Sequence, residues 1–274
     1  MVTKQDVTKA ARELSIIPGD VVLIHSSFKS LGEVENGADT VVSGFMDAIG
    51  SEGTLVFPTL CQEDWKHVYE NWHMDAKSDV GYLTNYFRKL PGAKRSNQAT
   101  HSVAAMGKDA EYITQTHGQS GLRYGIFGDT PFAADSPWEK MYEKNAKIVF
   151  LGVNMYKCTF RHYTEYVYMD KCLKRIEGMS EYEALKKDVW CYERWDERGQ
   201  WPNIDSEYVR SVLDKENKVF YARCGNADIT CFSSVDFVDT ATRLIEERDW
   251  NVMFMGNEME DWLDEVERVA KSKA

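Results

Sequence analysis

The sequence lacks any apolar run long enough to cross a membrane, and its six cysteines form no C-x-x-C pair. A membrane-spanning helix needs about 20 consecutive apolar residues, and the polar, amphipathic N-terminus is unlike a secretory signal. Scattered cysteines in such a chain are typical of reduced thiols, and neither they nor the six histidines have metal-ligand spacing. The sequence therefore predicts a cytoplasmic protein with no membrane partner and no metal.

Basic residues are outnumbered, with 33 lysines and arginines against 44 aspartates and glutamates and a formal net charge of −11. A protein that binds nucleic acid usually needs a basic footprint, so this class of partner is excluded. A negative field raises the local concentration of cations, which makes the composition compatible with a cationic substrate. The requirement for solubility explains the same composition equally well.

Three motifs that define common enzyme classes are missing from the chain. It contains no G-x(4)-G-K-[ST] phosphate loop, no G-x-G-x-x-G dinucleotide fingerprint and no G-x-S-x-G nucleophile elbow. These absences argue against a P-loop nucleotide hydrolase, a Rossmann dehydrogenase and a serine hydrolase with a nucleophile elbow.

Patterns typical of buried strands alternate with patterns typical of amphipathic helices along the chain. This alternation predicts an α/β fold, and 274 residues can bury one large core or two smaller ones. The predicted strands cover 21–24, 53–59, 148–151, 218–222 and 229–232, and the main predicted helices cover 3–15, 37–49, 236–248 and 257–271.

The chemistry is concentrated after the predicted strand 148–151, which Gly152 closes. A helix is expected to begin near Thr159, whose hydroxyl is a candidate N-cap. His162 and Glu165 follow at intervals of three, so a helix places both side chains on one face. A carboxylate that holds one imidazole nitrogen leaves the other able to take a proton, which is a general-base arrangement. The same spacing also occurs by chance on exposed helix faces.

Other segments allow both a functional and a structural interpretation. The string His25-Ser26-Ser27 follows a buried strand, where a ligand-binding loop and a tight surface turn are equally compatible with the sequence. The long segment 61–79 mixes acidic residues with tryptophans, which suits a cationic, polyhydroxylated ligand but also an ordinary insertion. Cys158 is a candidate catalytic thiol or simply a small residue at the end of a loop.

The string G-x(6)-T-x-x-H-x-x-E after an apolar strand resembles the aminoglycoside 3-N-acetyltransferases. The matching positions are Gly152, Thr159, His162 and Glu165. The segments GIFGDTPFAADSPW and Gly225-Asn226-Ala227 are also similar to segments of this family.

A further resemblance to the same family covers residues 95–107, where the family pattern is RS-x-HP-x-x-S-x-x-A-x-G. The positions kept are Arg95, Ser96, Ser102, Ala105 and Gly107. The sequence departs from the pattern at the HP pair, which is Gln98-Ala99 here. A glutamine keeps a donor and an acceptor but carries no charge near neutral pH, so any contact of the family's histidine is changed.

The resemblance implies a three-layer α/β/α sandwich with a mixed sheet, formed by one domain over 1–274 with substrate-cleft insertions near 61–80 and 172–214. It implies direct transfer of an acetyl group from acetyl-coenzyme A to the 3-amino group of an aminoglycoside, which is resistance by drug modification. It also leaves open the same scaffold acting on a different amine. The expected assembly is a monomer or a homodimer.

The resemblance also implies roles for individual residues. His162 is the expected base and Glu165 the residue that orients it. The expected coenzyme A wall is formed by Ser26, Ser27, Leu31, Gly32, Ser102, Val103 and Thr159. The expected contacts to a cationic aminoglycoside are Glu63, Asp64, Gln98, Glu165 and Asp170.

Overall fold

The computed structural model describes residues 1–63, 67–117, 131–189, 203–254 and 256–272. Its strands are β1 (Val21–Ser26), β2 (Thr54–Pro58), β3 (Lys94–Arg95), β4 (Val103–Gly107), β5 (Lys147–Leu151), β6 (Phe220–Cys224) and β7 (Ala227–Ser233).

The helices fall largely where amphipathic patterns predict them. They are α1 (Lys4–Glu13), α2 (Ala38–Ile49), α3 (Val68–Asn71), α4 (Tyr82–Phe87), α5 (Ala110–Thr114), α6 (Pro137–Glu143), α7 (Phe160–Arg175), α8 (Tyr182–Val189), α9 (Ser206–Lys215), α10 (Ser234–Glu246) and α11 (Gly256–Ser272). Short 3-10 helices cover Phe28–Leu31, Met155–Lys157 and Trp250–Val252. Within the described ranges, no helix combines the length and the apolar character needed to cross a membrane.

The seven strands form one mixed sheet in the order β3-β4-β2-β1-β5-β7-β6. The central strand β1 runs parallel to both of its neighbours, with Val22 opposite Leu55 of β2 and Lys147 of β5. The strands β3, β4, β6 and β7 complete the sheet through antiparallel pairs. The prediction of an α/β fold around a mixed sheet is confirmed.

The apolar run in β1 is continuous because helices cover both faces of the sheet. Val21 and Leu23 belong to a core cluster that includes side chains of α5, α6, α7, α10 and α11. Val22 and Ile24 belong to a second cluster, built with α1, α2 and α4. The sandwich therefore has three layers, as expected.

The strand register brings distant segments to one edge of the sheet. The parallel strands β1 and β5 end together, with Ser26 opposite Leu151. The antiparallel strand β4 begins at the same edge, where Val103 faces Pro58 of β2. Loops that leave β1, β2 and β5 therefore meet the segment that precedes β4, and a site built from all four is expected here.

Serine hydroxyls cap the starts of α6 and α10. Ser136 accepts a hydrogen bond from the Glu139 amide at 3.3 Å, and Ser233 accepts one from Asp236 at 3.0 Å. The prediction that the Thr159 hydroxyl caps α7 is wrong. Thr159 has a helical backbone (φ −70°, ψ −25°) and its side chain makes no capping bond, whereas a capping residue usually needs an extended conformation.

Candidate active site

A cavity of about 410 Å³ opens at the carboxyl edge of the parallel strands. Its walls come from the end of β1, the segment after β2, the residue before β4, the 3-10 helix after β5 and the first turn of α7. Its polar lining includes His25, Ser26, Gln62, Asp79, His101, Tyr156, Lys157, Thr159, Arg161 and His162.

His162 and Glu165 form the hydrogen-bonded pair that their spacing predicts. The Nδ1 atom of His162 lies 2.7 Å from Oε2 of Glu165, and Oε1 of Glu165 accepts the Ile204 backbone N–H at 2.8 Å. The Glu165 side chain is fully buried, whereas 14% of the His162 side chain is exposed. An ionised carboxylate can only accept, so this pairing puts the proton on Nδ1 and leaves Nε2 as the acceptor.

The Ile204 contact is a part of the site that the sequence does not reveal. Ile204 stands before α9 and is fully buried, far along the chain from Glu165. Its amide fixes one carboxylate oxygen, and the other is then aimed at His162. A backbone donor leaves no signature in the sequence.

His101 is a second histidine beside the expected base. Its ring lies 6.0 Å from that of His162, and its Nδ1 atom is 2.8 Å from the Thr100 hydroxyl. Burial, with His162 and His117 nearby, holds the pKa of His101 well below its usual range. The His101 side chain is therefore neutral and contributes hydrogen-bonding groups to the cavity wall. Its place two residues before β4 is a signal in the sequence that was not used to predict a site residue.

His25 lies in the floor of the same cavity. Its ring stacks on Phe150 at a centroid distance of 5.2 Å, and its Nε2 atom is buried without a hydrogen-bond partner among the residues described. Burial lowers the pKa of His25 to about 3, so this imidazole stays neutral at working pH. The sequence reasoning selected the two serines that follow His25 and passed over the histidine.

The structure brings only some of the expected coenzyme residues to the cavity. Ser26 and Thr159 line it together with His162. Ser27 lies next to it and donates its backbone N–H to Leu151 at 2.9 Å. Gly32 is exposed, with a φ of 79°.

The remaining expected coenzyme residues are interior. Leu31 and Val103 are buried in the hydrophobic core. Ser102 is also buried, and its hydroxyl lies 2.9 Å from that of Thr59 and donates to the Thr59 carbonyl at 3.0 Å. These three side chains therefore support the wall from behind.

Arg95, kept from the family pattern, braces the segment 61–79 from within. Its guanidinium donates to the carbonyls of Thr59 and Met74 at 2.8 Å and of Ala76 at 2.6 Å. It also lies 4.6 Å from the ring centroid of Trp72. Burial lowers the pKa of Arg95, yet a guanidinium stays charged at neutral pH. Arg95 therefore helps to hold the segment that contributes Gln62 and Asp79 to the cavity.

The expected substrate contacts are dispersed. Glu63 is exposed, Asp64 lies outside the described residues, and Asp170 pairs with Lys174 at 2.5 Å, two turns beyond His162. Gln98 is buried, where its side-chain oxygen accepts the His101 amide. Glu165 lies behind His162. Among the described residues, the carboxylate that lines the cavity is Asp79.

The second expected insertion, near 172–214, is only partly visible. Residues 190–202, which include Trp190, Glu193 and Asp196, lie outside the described part of the chain. The helices α8 and α9 flank this gap. That this segment walls the substrate cleft stays a prediction.

Cys158 lines the cavity but is unsuited to nucleophilic work. It is 1% exposed, and burial raises the pKa of its thiol to about 12. The thiolate is the nucleophilic form, so this side chain is inert near neutral pH.

The sequence and the fold were compared with those of known proteins. A family model described as aminoglycoside 3-N-acetyltransferase matches residues 23–246. The SPbeta prophage-derived aminoglycoside N(3')-acetyltransferase-like protein YokD of Bacillus subtilis (strain 168) is 27% identical over 274 residues, which cover 90% of this chain and 93% of the relative. Aminoglycoside N(3)-acetyltransferase III of Salmonella sp is 28% identical over 184 residues, and this match spans 61% of each protein.

Solved structures share the fold at lower sequence identity. The structure titled AAC-IIIb binary with CoASH has a TM-score of 0.68 at 18% identity and covers 90% of this chain and 97% of that one. The neutron and X-ray structure of sisomicin-bound AAC-VIa has a TM-score of 0.65 at 20% identity and covers 90% and 98%. These likenesses establish a shared architecture.

Proposed function

The chain belongs to the aminoglycoside 3-N-acetyltransferase family, a family of acyltransferases, and from this premise we propose that it acetylates the 3-amino group of an aminoglycoside with acetyl-coenzyme A. Such modification inactivates the drug and confers resistance. The observation that carries the proposal is the chain of hydrogen bonds from the Ile204 amide through Glu165 to His162 at the wall of the cavity. The solved relatives with bound CoASH and sisomicin support this choice of substrates.

His162 supplies the proton transfer that amide formation needs. An amine attacks through its lone pair, so Nε2 accepts the proton that the nitrogen releases as it bonds to the thioester carbon. Glu165 stabilises the imidazolium through Nδ1. As the carbon–sulfur bond breaks, the imidazolium returns its proton to the departing sulfur. The products are the N-acetyl amide and the free thiol, and His162 is neutral again.

The side chains around His162 favour transfer of the acetyl group in one step over transfer through an acetyl-enzyme intermediate. A two-step route needs a nucleophile to carry the acetyl group, and the cysteine in the cavity wall has its pKa raised to about 12 by burial. With the acceptor and the donor held together, much of the barrier is removed by proximity alone. The cavity therefore has to bind both substrates at once.

The test of this proposal is a thiol-release assay with acetyl-coenzyme A and a panel of amines that includes aminoglycosides. We expect amine-dependent release of the thiol and one new acetyl group on the amine, measured by mass spectrometry. Release that does not depend on an amine would indicate a thioester hydrolase. No release with any amine would refute the proposal.

A second candidate is the same transfer to a different amine. It is favoured by the charges at the mouth of the cavity, where Lys157 and Arg161 lie without a carboxylate partner among the described residues. A polycationic acceptor would meet these two positive charges.

The substitution Glu165→Gln should lower kcat on the order of 10- to 100-fold, by analogy with the loss of the hydrogen-bond partner of a metal-bound histidine. The carboxamide has one oxygen to serve both the Ile204 amide and His162, and it has no charge to stabilise an imidazolium. Because Glu165 is fully buried behind His162, both KM values should stay within a few-fold. Steady-state kinetics with exposed Glu183→Gln as a control measure this. A raised KM for the amine at unchanged kcat would instead make Glu165 a substrate contact.

A further inference from the structure

Two cations flank one exposed tyrosine at the mouth of the cavity. Arg161 lies 5.1 Å and Lys157 lies 5.9 Å from the ring centroid of Tyr156, of which 66% is exposed. All three residues line the cavity. Many surface cations have acidic partners, as in the 2.7 Å pair of Lys171 and Glu246. Within the described ranges, Lys157 and Arg161 have none, so their charge is directed at the solvent or at a ligand.

Arg161 also borders on the position of the reacting amine. Its Nε atom donates to Nε2 of His162 at 3.4 Å. Nε2 is the atom that takes the proton in the proposed reaction, so the guanidinium lies beside the space that the acceptor nitrogen must enter. An additional ammonium group on the acceptor would be repelled here, whereas an anionic group would be attracted.

The carboxylates of Asp79 and Glu165 bind other groups and form no ion pair with these two cations. Asp79 is engaged by its own loop, where it accepts the backbone N–H groups of Gln62 and Glu63. Glu165 is fully buried and is paired with His162. The N-terminal end of the 16-residue helix α7 adds further positive potential on the side of Arg161.

We infer that Lys157 and Arg161 form an anion subsite that selects acceptor amines carrying a carboxylate or a phosphate group. This inference rests on the proposed acetyl transfer and favours the second candidate acceptor, an amine other than an aminoglycoside. The phosphates of coenzyme A are separated from its thioester by the pantetheine arm. A cation in contact with the base therefore serves the acceptor and not those phosphates.

The test compares matched acceptors that differ in one charge. We expect the wild-type enzyme to acetylate glucosamine 6-phosphate with a kcat/KM about tenfold above that for glucosamine, and to acetylate the polycation sisomicin less well than either. Arg161→Leu should remove most of this preference, and Arg161→Glu should reverse it. The ratio of matched acceptors is the decisive readout, because a change in the base itself cancels in the ratio. Lys89→Leu, an exposed cation elsewhere on the surface, should leave the ratio unchanged.

Two further measurements show whether the subsite binds an anionic acceptor or the phosphates of coenzyme A. They also distinguish failure of this inference from failure of the proposed function. If Arg161→Leu raises KM for acetyl-coenzyme A but not for acetyl-pantetheine, which lacks phosphates, the subsite holds the coenzyme and the inference is overturned. A wild-type preference for sisomicin that survives Arg161→Leu overturns it as well. If no amine is acetylated, the proposed function fails. Calorimetric binding of inorganic phosphate that Arg161→Leu abolishes would then still support the subsite, and its absence would refute it.

Discussion

His162→Ala should lower kcat by about 10²- to 10⁴-fold, the range over which a positioned general base contributes, while coenzyme A binds with nearly unchanged affinity. The variant removes the atom that accepts the proton of the amine. It leaves the coenzyme loops intact, because the partner of His162 inside the protein is the separately anchored Glu165.

A second histidine of the same chain provides the control for this variant. His73 is exposed and lies outside the cavity lining, so His73→Ala should behave as wild type. Calorimetry with coenzyme A checks that binding survives. Turnover of His162→Ala within a few-fold of wild type would remove His162 from the mechanism.

The free energy of unfolding should fall by about 4 kcal/mol between pH 7.5 and pH 5.5, because three buried histidines each lose about 1.4 kcal/mol per pH unit below the unfolded pKa. Burial lowers the pKa of His25 and His117 to about 3 and holds that of His101 well below 6.5. In the unfolded chain these groups titrate near 6.5. Below that pH these three histidines bind protons in the unfolded state but stay neutral in the folded state.

Because the pKa values of these histidines are lower in the folded state than in the unfolded state, a fall in pH lowers the free energy of unfolding. The contribution of these histidines is fully present above pH 6.5 and is lost progressively as the pH falls towards 3. Urea unfolding at several pH values measures the slope. His117→Gln should reduce the slope by about a third, since this ring is held between the Ser96 hydroxyl and the Pro131 carbonyl at 2.8 Å each. A stability that is flat from pH 7.5 to pH 5.5 would contradict buried neutral histidines.

The sequence was sufficient wherever the relevant interaction is local. The unbroken apolar run over 148–151 predicted the buried strand β5, and the interval of three predicted the contact between His162 and Glu165. Both follow from the geometry of one strand or one helix. The apolar spacing likewise predicted a helix over 236–248, and α10 covers Ser234–Glu246.

Two kinds of feature could not be predicted from the sequence. The first depends on tertiary contacts, and the second is the local charge of the site, which the net charge of the whole molecule does not give. The Ile204 amide and the neutral imidazole of His101 act through neighbours far along the chain. The expectation of a cationic substrate drew on a net charge of −11, which describes the whole molecule. The described lining of one cavity carries Lys157, Arg161 and a single carboxylate. Net charge constrains solubility and long-range attraction, whereas the local charge of a site depends on which loops meet there.

The central position of β1 also has a consequence for the order of folding. Its pairing with β2 links neighbouring segments, but its pairing with β5 joins Val22 to Lys147, which is 125 residues further along the chain. Closing such a long loop costs entropy before any contact compensates it, so non-local strand pairs form slowly. His162 follows β5, and it meets His101 only after that closure. In refolding experiments, coenzyme binding should therefore lag behind the recovery of far-ultraviolet circular dichroism, and simultaneous recovery would show that β5 docks early.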